Sequence, residues 1–330
     1  MKAVVVTAPM ELERVFVAEM PDPVPGRGEV VIDVAAADTN YPDFLVIEGK
    51  YQFHPSPPFS PGKAAAGRIA ALGAGVSGFT IGDRVAVQVE YGAYAEKLCA
   101  PAAQCFPIPD GVDFETAAAL GLTYQTAHFA LAARAQLQFG ESVLVLGGSG
   151  GVGTAAIQLA RAFGAAPVIA AVRAAEDAAI ARAAGADVVI EVGAAPAAEG
   201  LRDAARAATG GRGVDVVIDP VGGAYGAAAL RALAWCGRLI VIGFASGEIP
   251  AFRANYLLVK NIAVLGLHWS DYRERAPALV ARVQADLFAR HLEGQLTPMI
   301  DRRLPLAEFK AALRALRDGA VQGKIILTLP

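Results

Sequence analysis

Leu146-Gly147-Gly148-Ser149-Gly150-Gly151-Val152-Gly153 decides the fold of half this chain. The apolar run Ser142-Val143-Leu144-Val145-Leu146 precedes it, and Thr154-Ala155-Ala156-Ile157-Gln158-Leu159-Ala160-Arg161-Ala162-Phe163 follows. That order is strand, glycine loop, helix. Gly148, Gly150 and Gly153 satisfy the spacing G-x-G-x-x-G. The first glycine permits a tight turn, and the second lets backbone approach a pyrophosphate. The third lets helix and strand pack closely, while the helix N-terminus offers its partial positive charge to the phosphates. Glycine loops are common, so the spacing alone says little. Between a strand and a helix it predicts a dinucleotide site rather than a bare structural turn.

The next strand, Pro167-Val168-Ile169-Ala170-Ala171-Val172, sharpens the reading. Where NAD is preferred, an Asp or Glu near this point holds the ribose 2′-hydroxyl. Here the strand runs into Arg173-Ala174-Ala175, and the nearest acids are Glu176 and Asp177. A guanidinium binds a 2′-phosphate bidentately where a carboxylate repels it. Arg173 therefore points to NADPH, the alternative being a solvated arginine at a strand end.

From Leu122 to Leu267 strands and helices alternate. Helices are expected at 174–184, 199–209 and 223–234, and strands at 187–190, 214–219, 237–242 and 262–266. Strands without apolar/polar alternation, separated by amphipathic helices, imply a parallel sheet covered on both faces, and six strands fit a two-half dinucleotide-binding fold. Residues 1 to about 120 read differently. Short runs at 30–34, 67–72 and 83–87 lie between Pro- and Gly-rich turns, with no helical segment of any length before Phe114. After Leu267 come helices at 276–291 and 306–318 and a last strand, Lys324–Leu329, which must pair somewhere; the N-terminal β-rich part is the expected place.

Composition narrows the function classes. The 330 residues suggest two domains with ample core. No apolar run reaches the roughly 18 residues of a membrane span, and Met1-Lys2-Ala3-Val4-Val5-Val6-Thr7 reads as a first strand, not a secretory signal. A net charge of −3 leaves no basic footprint for nucleic acid. A cytoplasmic protein without nucleic-acid or membrane partners is expected. Three cysteines, Cys99, Cys105 and Cys236, with no C-x2-C run, favour buried thiols over disulfides or a zinc cluster.

With these pieces placed, the whole chain resembles the medium-chain dehydrogenase/reductase superfamily, and most closely its zinc-independent quinone oxidoreductase (ζ-crystallin-like) branch. The residues that carry the resemblance are Asn40-Tyr41-Pro42-Asp43, Gly49-Lys50-Tyr51, Pro61-Gly62-Lys63-Ala64-Ala65-Ala66-Gly67, Gly82-Asp83-Arg84-Val85, Gly92-Ala93-Tyr94-Ala95-Glu96 and Leu122-Thr123-Tyr124-Gln125-Thr126-Ala127. They continue through the glycine loop, Gly185-Ala186-Asp187, Asp219-Pro220-Val221-Gly222-Gly223, Gly243-Phe244-Ala245-Ser246-Gly247 and Gly323-Lys324-Ile325-Ile326-Leu327. The resemblance implies an α/β protein. A Rossmann domain, a doubly wound parallel six-stranded sheet over residues 123–267, is inserted in a GroES-like β-rich catalytic domain made of 1–122 and 268–330, with the active site in the cleft. It also implies a homodimer through the last Rossmann strand, Ile262–Gly266, whose apolar edge invites association.

Against the zinc-dependent branch, the resemblance places Asn40, Lys63-Ala64 and Leu122 at the metal-binding positions. A catalytic zinc needs three Cys, His or carboxylate ligands, so no metal is expected. The acceptor must then take hydride readily, as a quinone or enone does, because charge delocalises onto a conjugated oxygen. Donors must meet that charge. Asn40 is the first candidate, for cofactor or substrate; a turn residue is its other reading. Tyr41 and Tyr51 are candidates to stack on a planar acceptor, or else core tyrosines. Lys63 is a candidate to stabilise negative charge, or else a salt-bridged lysine. The resemblance also makes Thr126, Gly151, Val152, Phe244, Ser246 and Lys324 candidates to contact the cofactor, and His268 and Trp269 candidates to wall the substrate cleft. Three functions follow from this set. The first is NADPH-dependent two-electron reduction of quinones, the second reduction of activated C=C bonds in enones or enoyl thioesters, and the third non-catalytic NADPH binding.

Overall fold

The computed structural model describes residues 1–193 and 198–330. The chain divides into two compact units. Met1–Leu122, Ser270–Leu292 and Ile300–Pro330 form the first, and Thr123–Trp269 with Glu293–Met299 the second. In chain order the strands of the N-terminal part are β1 (Lys2–Val5), β2 (Phe16–Glu19), β3 (Glu29–Asp38), β4 (Ala64–Leu72), β5 (Arg84–Gln88), β6 (Lys97–Pro101) and β7 (Cys105–Pro107). Those of the middle are β8 (Val143–Leu146), β9 (Val168–Val172), β10 (Val188–Glu191), β11 (Val214–Asp219), β12 (Leu233–Val241) and β13 (Ala263–Gly266). Two close the chain, β14 (Ile300–Pro305) and β15 (Lys324–Thr328).

In the first unit the main sheet has the order β14-β15-β3-β4-β5-β7, with β6 also pairing β3. The last strand does return to the N-terminal sheet: β15 runs antiparallel to β3, Ile326 opposite Asp38. It is not alone, because β14 lies parallel beside it. Three consecutive charges in Ile300-Asp301-Arg302-Arg303 hide β14 in the sequence, as exposed edge strands do. β3 is longer than its apolar run Val30–Val34. Ala36 and Ala37 have weak strand preference alone, and pairing with Ala66 and Ala65 of β4 extends the strand. A seven-residue helix, Tyr41–Ile47, lies where no helix was expected. It is too short to show a period. Its start is fixed locally, by the Asp43 carboxylate accepting from the Asn40 N–H at 2.7 Å. A second short helix, Ser270–Arg275, precedes the long one at Pro277–Leu292.

The second unit carries a parallel sheet of order β10-β9-β8-β11-β12-β13. Every residue of β8 and β9 is buried, as strands covered on both faces must be. The strand order reverses between β8 and β11, and such a switch point at the carboxyl ends of the strands is where doubly wound folds bind ligands. Helix gives way to β12 at Leu233, earlier than the alanine-rich sequence suggests; Cys236 turns the chain there with a φ of 61° before the ladder resumes at Arg238. Residues 293–299 join this unit, contrary to the expected boundary. Gln158 holds them with both ends of its amide, donating to the Thr297 carbonyl at 2.8 Å and accepting from its N–H at 2.7 Å.

Candidate functional site

In the second unit the glycine loop leaves β8 and opens the helix Gly151–Ala162, with Gly150 at its N-cap. A Cβ on Gly153 would lie 2.0 Å from the Gly147 carbonyl oxygen, and one on Gly148 2.8 Å from the Ala170 Cβ. Neither contact can be relieved by a flexible side chain, so the tight turn requires both glycines. Gly150 has room and an ordinary φ of −82°. The absence of a side chain at Gly150 leaves backbone uncovered at the helix start, where the half-buried Gly151 and Val152 present N–H groups without intrahelical partners. This cradle fits a pyrophosphate. Arg173 is exposed immediately beyond β9, and no acid stands at that strand end. Asp177, the nearest described acid to be buried, belongs to the first turn of the next helix. Thr126 is buried in the helix Leu122–His128.

The loop after β12 carries Phe244 and Ser246. The Phe244 ring lies against Gly222, where a Cβ would meet it at 2.9 Å. Ser246 donates its backbone N–H to the Val221 carbonyl at 2.9 Å. The two loops thus hold each other at the carboxyl ends of β11 and β12. Asp219, at the end of β11, accepts from the N–H groups of Val221 and Gly222. His268 is exposed and Trp269 buried, so the indole is a covered side chain and not an open wall.

In the first unit a buried ionisable network surrounds Asn40. The register that sets Ile326 against Asp38 carries on for two residues and brings Lys324 opposite Asn40. The Lys324 Nζ lies 2.8 Å from Asn40 Oδ1, 3.0 Å from the Thr39 carbonyl and 2.9 Å from Asp38 Oδ2. Lys324 donates to Asn40 and to the Thr39 carbonyl and is ion-paired to Asp38, so it holds the Asn40 amide in place. The Asn40 Nδ2 donates to the Asp38 carbonyl at 3.3 Å. Asp43 accepts from the Tyr94 hydroxyl at 2.6 Å as well as from the Asn40 N–H. Burial pushes Asp38 up to about 7, with Lys324 opposing it, and pushes Asp43 up to about 6, with Tyr94 opposing it.

Lys63 is buried and ion-paired to Glu90. The β4–β5 ladder runs on by one residue, the Val89 N–H donating to the Lys63 carbonyl at 2.8 Å, which sets Glu90 beside the lysine. Glu90 also pairs with Arg273 of the helix Ser270–Arg275. The Lys63 ammonium sits 4.4 Å from the centroid of the half-buried Tyr51 ring. Tyr41 opens its helix with its ring edge-on to Phe44 at 4.5 Å. Sequence reading missed Asp38 and Glu90 and gave no role to Asp43 or Tyr94, although both lie in segments that carry the resemblance, and it weighed Arg273 only as part of a basic groove or as a surface charge; sheet register and the returning chain gather the five.

The arrangement offers a cofactor cradle on one unit and oriented polar donors on the other. Among the described residues no group of three or more His, Cys, Asp or Glu side chains could hold a metal ion. Asn40, Lys63 and Leu122 supply no thiolate, imidazole or carboxylate, so the residues present do not fit a catalytic zinc.

Two family models match. "Alcohol dehydrogenase GroES-like domain" covers residues 26–110 and "Zinc-binding dehydrogenase" residues 151–285. Bovine quinone oxidoreductase-like protein 2 is 35% identical over 97% of this chain and 90% of its own. A mycobacterial protein solved with NADPH superposes with a TM-score of 0.93 at 32% identity, over 100% of both chains. The quinone oxidoreductase of Escherichia coli, also solved with NADPH, superposes with a TM-score of 0.91 at 27% identity, again over 100% of both chains. The chain is therefore an oxidoreductase by descent and belongs to the medium-chain dehydrogenase/reductase superfamily, among its quinone oxidoreductase-like members.

Proposed function

We propose that this protein is an NADPH-dependent reductase that delivers two electrons, as hydride, to a quinone without a metal. The observation that carries the reading is the pairing of a phosphate cradle at Gly148–Gly153 with a cation, Arg173, at the strand end where an NAD-preferring fold has an acid. The relatives solved with NADPH support the same cofactor. NADPH when bound supplies the hydride. The chain's own residues bind it, exclude water and meet the charge that develops on the acceptor. The N–H groups of Gly151 and Val152 and the helix N-terminus hold the pyrophosphate. Arg173 holds the 2′-phosphate. Asn40 offers the Nδ2 donor to the acceptor oxygen, because Lys324 occupies its Oδ1. The Lys63 ammonium adds positive potential as that oxygen gains charge.

The same donors suit an enolate oxygen, so activated C=C bonds in enones or enoyl thioesters are the second reading. NADPH oxidation followed at 340 nm against a panel of quinones, enones and enoyl thioesters tests both. Turnover confined to quinones supports the first reading. Turnover confined to enones or enoyl thioesters replaces it with the second. Tight NADPH binding with no oxidation of any acceptor sinks both in favour of a non-catalytic binding protein. We further propose a homodimer built on β13, the edge strand of its sheet, with half-buried Ala263, Val264 and Leu265.

A further inference from the structure

We propose that Lys63 is the proton donor to the acceptor oxygen, and that Glu90 and Arg273 are the residues that position it. The inference deepens the reductase reading and rests on it. Hydride transfer leaves the acceptor with an extra electron pair on a conjugated oxygen, and a neutral product needs one proton there. In the step inferred here an N–H bond of Lys63 breaks as the O–H bond forms. The amine left behind is neutral and regains its proton from water, so hydride and proton together make up the two hydrogens of the reduced product.

The geometry singles out Lys63. Its side chain is 2% exposed and that of Arg273 4%, and the two cations share the single carboxylate of Glu90. The three side chains form a buried cluster in which Arg273 opposes, and Asp43 favours, the charge on Lys63. The ring of the half-buried Tyr51 packs against the ammonium, its centroid 4.4 Å away.

The other charged groups facing Lys63 are accounted for. Asp43, from the helix Tyr41–Ile47, raises its proton affinity, but that carboxylate already accepts from the Tyr94 hydroxyl and the Asn40 N–H. Glu90 follows β5, and Arg273 comes from the helix Ser270–Arg275. Burial, reinforced by Arg273, brings the amine down to about 8. An acid works best with a proton affinity near the working pH. The phenols are poorer candidates. Burial raises Tyr51 above the ordinary tyrosine value even though its hydroxyl bonds Ser270, and burial with Asp43 raises Tyr94 further.

The test is the pH profile of kcat/KM for the acceptor at saturating NADPH, in the wild type and in Lys63→Met, Lys63→Arg, Glu90→Gln and Arg273→Gln. The wild type is expected to lose rate above pH about 8, as the amine of Lys63 deprotonates. Lys63→Met keeps the stem's volume and leaves Glu90 with Arg273. It should lose that alkaline limb and about 10²–10⁴-fold in rate. Lys63→Arg should lose as much, since a guanidinium keeps its proton. Removing a neighbouring positive charge in Arg273→Gln should move the limb to higher pH, and removing the negative charge in Glu90→Gln to lower pH. A merely structural role for these two predicts no such opposite shifts. A second readout needs neither cofactor nor turnover. In ¹⁵N-lysine-labelled protein one amine resonance should titrate near 8 and vanish in Lys63→Met. A wild-type limb that survives in Lys63→Met, or no lysine resonance titrating there, overturns the assignment while leaving the reductase reading intact. No NADPH oxidation by the wild type with any acceptor removes that reading, and this step with it.

Discussion

The Nζ of Lys324 lies 2.8 Å from Oδ1 of Asn40, and an ammonium has only protons to offer. The contact therefore decides which way the amide of Asn40 faces, with the carbonyl toward the lysine and Nδ2 toward its other neighbours. Lys324→Met leaves Asp38 buried without its cation. The expected loss of stability is about 3–5 kcal/mol, the usual consequence of breaking a buried pair. Chemical denaturation measures it. NADPH affinity should hold in the folded fraction; a variant of normal stability that has lost NADPH affinity would instead assign Lys324 to the cofactor.

Asp43 gives a pH signature in stability. Burial holds its folded-state value at about 6, above the ordinary 3.8. Between those two values the native state binds the proton more tightly than the unfolded chain, so this group's contribution to stability falls as pH rises. The shift of about two pH units corresponds to about 3 kcal/mol at most. The advantage of the wild type over Asp43→Asn in urea unfolding should shrink from pH about 4 to about 6 and be level above that. An advantage that grows with pH would mean that the carboxylate is stabilised in its charged form.

The proposed preference for NADPH over NADH rests on Arg173. Arg173→Ala should raise the Kd for NADPH by about 10–100-fold, the worth of a charge-assisted hydrogen bond, and leave NADH unchanged. Equal losses for both cofactors, or none, would show that the 2′-phosphate is held elsewhere.

Gly153→Ala places a methyl carbon 2.0 Å from the Gly147 carbonyl, backbone against backbone. Loss of dinucleotide binding with a marked fall in thermal stability is expected. Gly150→Ala, with its ordinary φ and open surroundings, should fold normally while its methyl group obstructs the phosphates. Calorimetry with NADPH separates the two outcomes.

The edge strand β13 is testable through Leu265→Lys. A lysine on an edge discourages strand addition, so a dimeric wild type should give a monomeric variant by light scattering. A variant that stays dimeric would move the interface away from β13.

Much of the second unit was legible along the chain, because its determinants are local. A buried parallel strand is a continuous apolar run, and the turn after β8 needs glycine at fixed offsets. Those features put the boundaries of β8, β9 and β11 within a residue or so of their places. The first unit was less legible. β14 carries its charges on an edge, β3 is extended by alanines that form strand only when paired, and the helix Tyr41–Ile47 is too short for a period. The polar site shows the same division. The glycine loop was picked out by its spacing, and Asn40, Lys63 and Tyr51 by the family resemblance. The sequence by itself determined the dinucleotide cradle and the lack of metal ligands at Asn40, Lys63 and Leu122. Tertiary structure alone decided what Asn40 and Lys63 touch. Lys324 reaches Asn40 across 284 residues and Arg273 reaches Glu90 across 183. Such partners are set by strand register and by the return of the chain, and sequence spacing carries no record of either.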